Sequence, residues 1–453
     1  MFYFIGIKGS GMAALAVMLK EIGNEVMGSD LDKHFFTEDE LIKHDIKIVN
    51  FDPNNIKDNY TVIIGNAFLE DFPEVIAARN NPTCKCYRYH EYLGELMKNY
   101  KSVSLSGSHG KTTTTTMCKN VLSHFFKTAY LIGDGEGYLA KDSEYLCVES
   151  DEFRNHFHSY YPDYAVINNI EIDHVDFFKD EDDYFNSYQK FIGNVKKITF
   201  YYGDDSWCKK LDFNGKENYS FGFEDCDDFY ANNLVETNKG ATFDLYFKGE
   251  FVKTFNLPLI GRHLLIDALG VISLAYKLGL DLNVVEESFT DYKGPKRRYI
   301  VEEYHNSILV DDYAHHPTEV AVTLKATRLR YPDKKVVAIF KPHRASRVLH
   351  FAKDFKEALE LADKIYLLDF TSIDDKQDGT DIDINYLAKM IDGSIVLSED
   401  EEGAKLLASN GDAVYVFMSS KDIYNLAHLT KKYLQWEGLQ YPWKSFHNFI
   451  ECL

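Results

Sequence analysis

Residues 102–113 of the 453-residue chain read Ser-Val-Ser-Leu-Ser-Gly-Ser-His-Gly-Lys-Thr-Thr, an apolar, β-favouring run followed by glycines, a lysine and two threonines. A strand that ends in glycine and leads into a helix turns backbone N–H groups and the positive end of the helix dipole toward an anion. The lysine of such a loop can reach terminal phosphates, and the threonine hydroxyl can hold Mg²⁺. Leu105 replaces the first glycine of the full phosphate-loop pattern. We predict nucleotide-phosphate binding at Gly107, Ser108, His109, Gly110, Lys111, Thr112 and Thr113.

A second glycine loop lies near the start of the chain. Residues 2–7 read as a buried strand, residues 12–22 as a helix, and residues 9–14 between them fit GxGxxA. Asp30 follows the next strand-like run, nineteen residues after Gly11. This pattern indicates a nucleotide or diphosphate site with Asp30 on a ribose, or simply a tight turn between strand and helix.

Strand-like runs alternate with helical patterns in three successive regions, which indicates parallel sheets with crossover helices. The third region follows a break at Gly294-Pro295. We predict an α/β chain of three domains: a Rossmann-like N-terminal domain (residues 1–98), a phosphate-loop ATPase-like central domain (99–294) and a Rossmann-like C-terminal domain (295–453).

Polar clusters follow several of the predicted strands. Glu149 ends one run of the central region and His174 follows another, and carboxylate oxygens beside a phosphate loop suit Mg²⁺. In the third region, Arg344 and Arg347 can each bind an amino-acid carboxylate through two parallel hydrogen bonds. His315 and His343 could orient an amine or be structural imidazoles.

Composition narrows the class of protein. The chain has 50 Lys and Arg against 71 Asp and Glu, a net charge of −21, so we expect neither nucleic acid nor an anionic membrane as a partner. It shows no apolar run of about 18 residues and no cleavable signal, and we therefore expect a cytoplasmic protein. Its seven cysteines form no CxxC pairs and read as free thiols.

These motifs, in their order, resemble those of the Mur ligases. The match runs along the whole chain as GIKGSGMAALA, GNAF, YRYHEYLGEL, GSHGKTTTTT, ESDEFRNHF, PDYAVINNIEIDHVDFF, KRRY, DDYAHHPTE and KPHRASR. The motifs DDYAHHPTE and PHRASR resemble those of the branch of the family that adds L-alanine. The resemblance implies an enzyme that uses ATP and Mg²⁺ to join the lactyl carboxylate of UDP-N-acetylmuramate to L-alanine, through an acyl phosphate, in cytoplasmic peptidoglycan synthesis.

The resemblance also implies roles for individual residues. Catalysis would involve Lys111, His174, His315 and Arg347. ATP would meet the phosphate loop together with His263, Arg298 and Asp312. The UDP-sugar would meet Gly9, Ser10, Gly11, Met12, Asp30 and Asn66. The amino acid would meet Tyr313, His315, His343, Arg344 and Arg347. Metal ions would bind Thr112, Glu149 and His174.

The chain departs from the family pattern at two informative positions. Leu264 stands where an adenine-contacting Asn is usual, and Lys341 stands where Gln is usual. Three alternatives stay open from sequence. One is a murein-peptide ligase that attaches a preformed peptide to the same sugar nucleotide. Another is a catalytically silent nucleotide-binding homologue, and the third is an NAD-dependent oxidoreductase that uses the first glycine loop.

Overall fold

The structure is a computed structural model that describes residues 1–35, 37–295, 297–371, 375 and 379–437. These residues contain three sheets, as the alternating pattern predicts, and the α/β class is confirmed. By internal packing they divide into two compact units. The first unit takes residues 1–173, 177–236 and 240–295, and the second takes residues 174–176, 237–239 and the described chain from 297 onward.

The first sheet is wholly parallel and has five strands in the order β3-β2-β1-β4-β5. Two of its inner strands, residues 2–5 and 61–64, are apolar and buried runs, which suits a sheet covered on both faces by helices. The strands are β1 (Phe2–Ile5), β2 (Val26–Ser29), β3 (Lys47–Val49), β4 (Thr61–Ile64) and β5 (Lys85–Arg88). The helices are α1 (Ser10–Glu21), α2 (Glu38–Lys43), α3 (Pro73–Asn80) and α4 (Tyr89–Met97).

The second sheet has ten strands in the order β15-β14-β13-β12-β11-β10-β6-β9-β7-β8. The strands are β6 (Lys101–Ser106), β7 (Thr128–Leu131), β8 (Gly137–Tyr138), β9 (Tyr145–Glu149), β10 (Tyr164–Ile167), β11 (Ile198–Tyr202), β12 (Glu217–Gly222), β13 (Phe229–Thr237), β14 (Gly240–Phe247) and β15 (Glu250–Leu257). Strands β12 through β7 in that order are parallel, whereas β14 pairs antiparallel with β15 and β7 with β8. The helices are α5 (Lys111–Ser123), α6 (Glu181–Ile192), α7 (Arg262–Lys277) and α8 (Leu282–Thr290).

The third sheet belongs to the second unit and has the order β16-β17-β21-β18-β19-β20. Only its edge pair, β16 with β17, is antiparallel. The strands are β16 (Ile300–Tyr304), β17 (Ser307–Asp312), β18 (Lys335–Phe340), β19 (Lys364–Leu368), β20 (Ile395–Leu397) and β21 (Ala413–Met418). The helices are α9 (Pro317–Arg330), α10 (Ala345–His350), α11 (Ala352–Leu359), α12 (Asn385–Ala388), α13 (Glu401–Ala408) and α14 (Tyr424–Glu437).

Within the first unit, the first two sheets share a hydrophobic core. Leu15 and Leu19 of α1 belong to the same buried cluster as Leu131 of β7 and Leu139. Helix α1 approaches β8 so closely that a Cβ at Gly137 would lie 2.5 Å from the carbonyl oxygen of Ala14. The predicted domain boundary near residue 98 therefore lies inside one packing unit, and the boundaries themselves stay predictions.

No helix within the described ranges has the length and apolar character needed to cross a bilayer.

Candidate active site

The phosphate loop joins β6 to α5 in the conformation that its glycines allow. Gly107 and Gly110 have φ angles of 140° and 81°, which residues with a side chain rarely adopt. A Cβ at Gly110 would lie 2.5 Å from Asp267 Oδ1 on α7. Asn168, after β10, donates a hydrogen bond to that same oxygen at 2.8 Å. The glycine is thus required both by its backbone angle and by the close approach of α7.

Lys111, the first residue of α5, is held by a buried acid. Its Nζ lies 2.8 Å from Glu152 Oε2 and donates to the carbonyl oxygen of Gly107 at 2.8 Å. Glu152 is fully buried and also accepts a hydrogen bond from Tyr184. Burial favours the neutral amine, but the charges of Glu152 and Asp151 outweigh it and raise the pKa of Lys111. The lysine therefore stays cationic beside the loop.

Thr112 and Glu149 lie side by side next to this lysine. The Thr112 hydroxyl donates to Glu149 Oε1 at 3.0 Å, and the backbone N–H of Gly133 donates to Glu149 Oε2 at 2.7 Å. A hydroxyl and a carboxylate form an all-oxygen donor set, which is the chemistry that Mg²⁺ prefers. The residues present therefore fit the predicted metal.

The remaining loop side chains hold the loop against the segment after β10. Ser108 Oγ lies 2.8 Å from the Tyr184 hydroxyl and accepts from the backbone N–H of Glu171 at 2.8 Å. His109 Nε2 lies 3.0 Å from Glu171 Oε2. Thr113 is buried in the first turn of α5. These contacts connect the loop to α6 and to the segment after β10.

The first turn of α7 lies near the phosphate loop, because Asp267 one turn later contacts Gly110. This places His263 on the same side of the sheet as the loop. Burial lowers the pKa of His263 to about 4, so its imidazole is neutral at pH 7. Leu264 beside it is half-buried and offers no polar group.

The first glycine loop is ordered by Asp30, which accepts the backbone N–H of Lys8 at 2.7 Å and that of Leu31 at 2.8 Å. A Cβ at Gly11 would lie 2.4 Å from the Tyr89 hydroxyl. The helix α1 begins at Ser10 and includes Gly11 and Met12, while Gly9 precedes it. Asp30 thus shapes the loop, and its predicted contact with a ribose stays a prediction.

Asn66, the predicted UDP-sugar residue after β4, lies between two histidines. Its Oδ1 is 3.0 Å from His90 Nδ1, and its Nδ2 is 3.2 Å from His156 Nδ1. The two imidazole rings stack with centroids 4.6 Å apart. Burial and the neighbouring His156 lower the pKa of His90 to about 4. Both histidines lie in motifs that resemble those of the family, but no role was predicted for either from the sequence.

In the second unit, Asp312 is a buried carboxylate at the end of β17. It accepts backbone N–H groups from Tyr299 at 2.9 Å and Ala314 at 2.7 Å. Burial raises the pKa of Asp312 to about 6, against the opposing charge of Arg298. The predicted pair of Arg298 and Asp312 is therefore electrostatically coupled.

Tyr313, His315 and His343 gather beside that pair. The Arg298 guanidinium lies 4.7 Å from the Tyr313 ring centroid. His315 Nδ1 is 3.0 Å from the Tyr313 carbonyl oxygen and 3.1 Å from a carboxylate oxygen of Glu319. The rings of His315 and His343 are 6.4 Å apart. Five of the residues predicted for ATP or the amino acid thus form one cluster within this unit, namely Arg298, Asp312, Tyr313, His315 and His343.

The two predicted arginines differ in environment. Arg347 is 3% exposed, and its Nη1 lies 3.4 Å from the carbonyl oxygen of His343. The Arg344 guanidinium pairs with Asp176, in the short segment 174–176 that groups with this unit. His174, the predicted second metal ligand, opens that segment with a φ of 51°. Amino-acid binding by the two arginines and metal binding by His174 stay predictions.

Lys341 is tied into this unit by two partners. Its Nζ lies 2.7 Å from Glu399 Oε1 and donates to the carbonyl oxygen of Asp422 at 2.8 Å. The lysine that replaces the usual Gln therefore connects the end of β18 to Glu399 and to the backbone at Asp422.

Comparison with known proteins gives a family. Residues 1–101 match the profile described as Mur ligase family, catalytic domain; residues 105–275 match the Mur ligase middle domain; and residues 296–428 match the Mur ligase, glutamate ligase domain. A UDP-N-acetylmuramate–L-alanine ligase of Streptococcus equi subsp. equi is 40% identical over 422 residues, which are 93% of this chain and 95% of that protein. The chain is a Mur ligase.

Solved structures support the same three-domain fold for this Mur ligase. A UDP-N-acetylmuramate–alanine ligase from Thermotoga maritima superposes with a TM-score of 0.76 at 24% identity, covering 96% of this chain and 99% of that one. A murein peptide ligase from Psychrobacter arcticus gives 0.71 at 20% identity, covering 96% and 98%. At these identities the likeness establishes the fold.

Proposed function

We propose that this Mur ligase joins the lactyl carboxylate of UDP-N-acetylmuramate to L-alanine and consumes ATP. The observation that carries the proposal is 40% identity to an alanine-adding ligase over nearly the whole chain, with Lys111, Thr112 and Glu149 together at the phosphate loop. The first domain would hold the UDP-sugar, the central domain ATP, and the C-terminal domain L-alanine. A cytoplasmic location belongs to the same proposal.

Activation of the acid is the first chemical requirement. A carboxylate oxygen is a poor leaving group, so the amine cannot displace it at neutral pH; transfer of the γ-phosphoryl group of ATP gives an acyl phosphate that can react. Lys111 remains cationic, and its charge is suited to stabilise the phosphoryl oxygens during transfer. Thr112 and Glu149, with His174 at a second position, would hold Mg²⁺, which neutralises phosphate charge when bound.

The second step is attack of the neutral amine of L-alanine on the acyl carbonyl, with loss of phosphate. A cationic Arg347 or Arg344 is suited to bind the alanine carboxylate. His315, whose Nδ1 lies beside the Tyr313 carbonyl oxygen and the Glu319 carboxylate, is suited to orient the amine or to receive its proton. His343 and Tyr313 lie beside it.

Phosphate release from ATP tests this proposal directly. Release should require UDP-N-acetylmuramate and L-alanine together, with Gly, L-Ser and a free tripeptide tested in place of L-alanine. Release with the tripeptide alone would favour the murein-peptide ligase, and release under no combination would favour the silent homologue. Binding of NADH without binding of the UDP-sugar would favour the oxidoreductase.

A further inference from the structure

Two aspartates meet at the carboxyl ends of neighbouring parallel strands, away from the phosphate loop. Asp204 follows β11 by two residues, and Asp227 lies in the connection between β12 and β13. Strands β11 and β12 are paired in parallel through five residue pairs. In open α/β sheets this edge is where ligands bind.

Both carboxylates keep an oxygen atom without a hydrogen bond. Asp227 is 5% exposed, and within the described part of the chain its Oδ2 is buried with no partner. Asp204 Oδ1 is also buried without one, while Asp204 Oδ2 accepts the backbone N–H of Phe223 at 2.9 Å. A buried acceptor left without a partner is destabilising, and such atoms in native proteins usually mark a bound water or ion.

Glycines make the room for this pair. A Cβ at Gly203 would lie 1.7 Å from Asp227 Oδ1. A Cβ at Gly222 would lie 2.3 Å from Asp227 Oδ2 and 2.7 Å from Asp204 Oδ2. The two carboxylates therefore lie close together beside Gly222, and any larger residue at either glycine would displace them.

The surroundings compensate the charge of this pair only in part. Hydrogen bonds from Ser220 and Glu224 and the charge of Lys209 lower the pKa of Asp227 less than burial raises it. Asp205 is engaged in capping the backbone N–H groups of Trp207 and Cys208, and Asp228 accepts from the backbone of Ser220. Lys209 is the cation that opposes the charge of Asp227, and it is exposed. Burial raises the pKa of Asp227 to about 6, and the adjacent Asp204 adds to the effect.

We infer that Asp204 and Asp227 bind a divalent, oxygen-preferring cation of the Mg²⁺ class, separate from the metal predicted at Thr112 and Glu149. Mg²⁺ commonly takes one or two carboxylates and completes its octahedral shell with water. Asp204 is half-buried, and water would fill the remaining coordination positions of the cation. The cation would fasten the ends of β11 and β12 together, and this role is independent of the ligase reaction.

The test uses Mn²⁺ as the probe, with the full-length protein free of nucleotide, and electron paramagnetic resonance to count bound ions. Asp227→Asn should bind one Mn²⁺ fewer than the unsubstituted chain. The same loss should appear in a Glu149→Gln background, where the phosphate-loop site is already removed. Asp225→Asn, an exposed acid of the same connection, is the matched control and should bind Mn²⁺ unchanged.

Thermal unfolding gives a second measurement that does not depend on activity. In the Glu149→Gln background, Mg²⁺ should raise the melting temperature of the otherwise unsubstituted chain and of Asp225→Asn, but not that of Asp227→Asn or Asp204→Asn. Unchanged Mn²⁺ stoichiometry in Asp227→Asn overturns the inference. So does a variant that is more stable than the unsubstituted chain at every Mg²⁺ concentration, because that result assigns the pair a shared proton.

Discussion

The two glycine loops of the first unit look alike in sequence but hold their lysines differently. Lys8 precedes α1 and Lys111 begins α5, and each lysine has a glutamate partner and two carbonyl oxygens. Lys8 donates to carbonyls of the loop after β2, whereas Lys111 donates to carbonyls of its own loop.

The difference concerns what each lysine can do for a ligand. Lys8 connects its loop to the segment after β2, and Asp30 fixes its backbone N–H as well. Lys111 is bound to Glu152, which is fully buried and lies beyond the end of β9. An incoming phosphate can compete with the Glu152 carboxylate for Lys111. A lysine beside a glycine loop is therefore informative only once its partners are known.

The largest expected effect is that of Lys111→Met on turnover. We expect phosphate release to fall by about a thousandfold or more, because a positioned cation is lost from the transferring phosphoryl group. Binding of UDP-N-acetylmuramate, measured by calorimetry, should be nearly unchanged. The corresponding variant of the first loop, Lys8→Met, should weaken binding of the UDP-sugar and leave binding of ATP unchanged. If Lys111→Met lost binding of both ATP and the UDP-sugar, the two loops would not bind separate ligands.

Glu152→Gln and Glu38→Gln compare the two lysine partners by stability. Glu152→Gln leaves a mostly buried ammonium without its counter-ion and should lower the free energy of unfolding by about 3 kcal/mol. The Glu38 side chain is 20% exposed, so Glu38→Gln should cost only about 1 kcal/mol. Urea unfolding measures both. Equal losses would mean that the two lysines are held equivalently.

The glycines that precede the two helices give the next comparison. Gly110→Ala should cost at least about 2 kcal/mol, from left-handed backbone strain and the contact with Asp267. Gly9 has a φ of −60°, and a Cβ there would be no closer than 3.5 Å to a neighbour, so Gly9→Ala should stay within about 1 kcal/mol. Urea unfolding of the two variants checks this, and a larger loss in Gly9→Ala would reverse the comparison.

The smallest expected effect is a pH dependence of the free energy of unfolding, which arises from His90 in the first sheet's domain. His90 has a folded-state pKa of about 4 against an ordinary value of 6.5, so protonation favours the unfolded chain. Its stabilising contribution is complete above pH 6.5 and is lost as the pH falls toward 4. Between pH 7 and pH 5 the unsubstituted protein should lose about 1–2 kcal/mol more than His90→Gln. Equal losses of unfolding free energy in the two proteins would show that His90 does not cause the pH dependence.

Much of the fold could be predicted because buried parallel strands are continuous apolar runs. The predicted strand at 2–7 is observed as Phe2–Ile5, and the predicted helix at 12–22 is observed as Ser10–Glu21. The antiparallel strands β14 and β15 gave no such signal, since their exposed positions interrupt the apolar pattern. The apolar pattern of the sequence therefore located the strands that are covered by helices on both faces of a sheet.

The candidate site was predictable where its residues are neighbours in sequence. Residues 107–113 were placed correctly at the end of β6 and the start of α5, because glycine and lysine at that spacing carry a local signal. The link from Asn168 to Asp267 joins side chains 99 positions apart, and the pairing of Lys111 with Glu152 joins side chains 41 apart. No local spacing encodes such contacts, which depend on strand order.

The core shared by the first two sheets limits how this chain can be divided. A fragment that ends at residue 98 would carry α1 without β7 and β8, and Met18, which lies against Gly137 of β8, would lose that neighbour. A large apolar side chain removed from burial forfeits about 2 kcal/mol. Such a fragment should therefore self-associate when produced alone, and the isolated N-terminal sheet is best prepared with residues 128–139 supplied in trans.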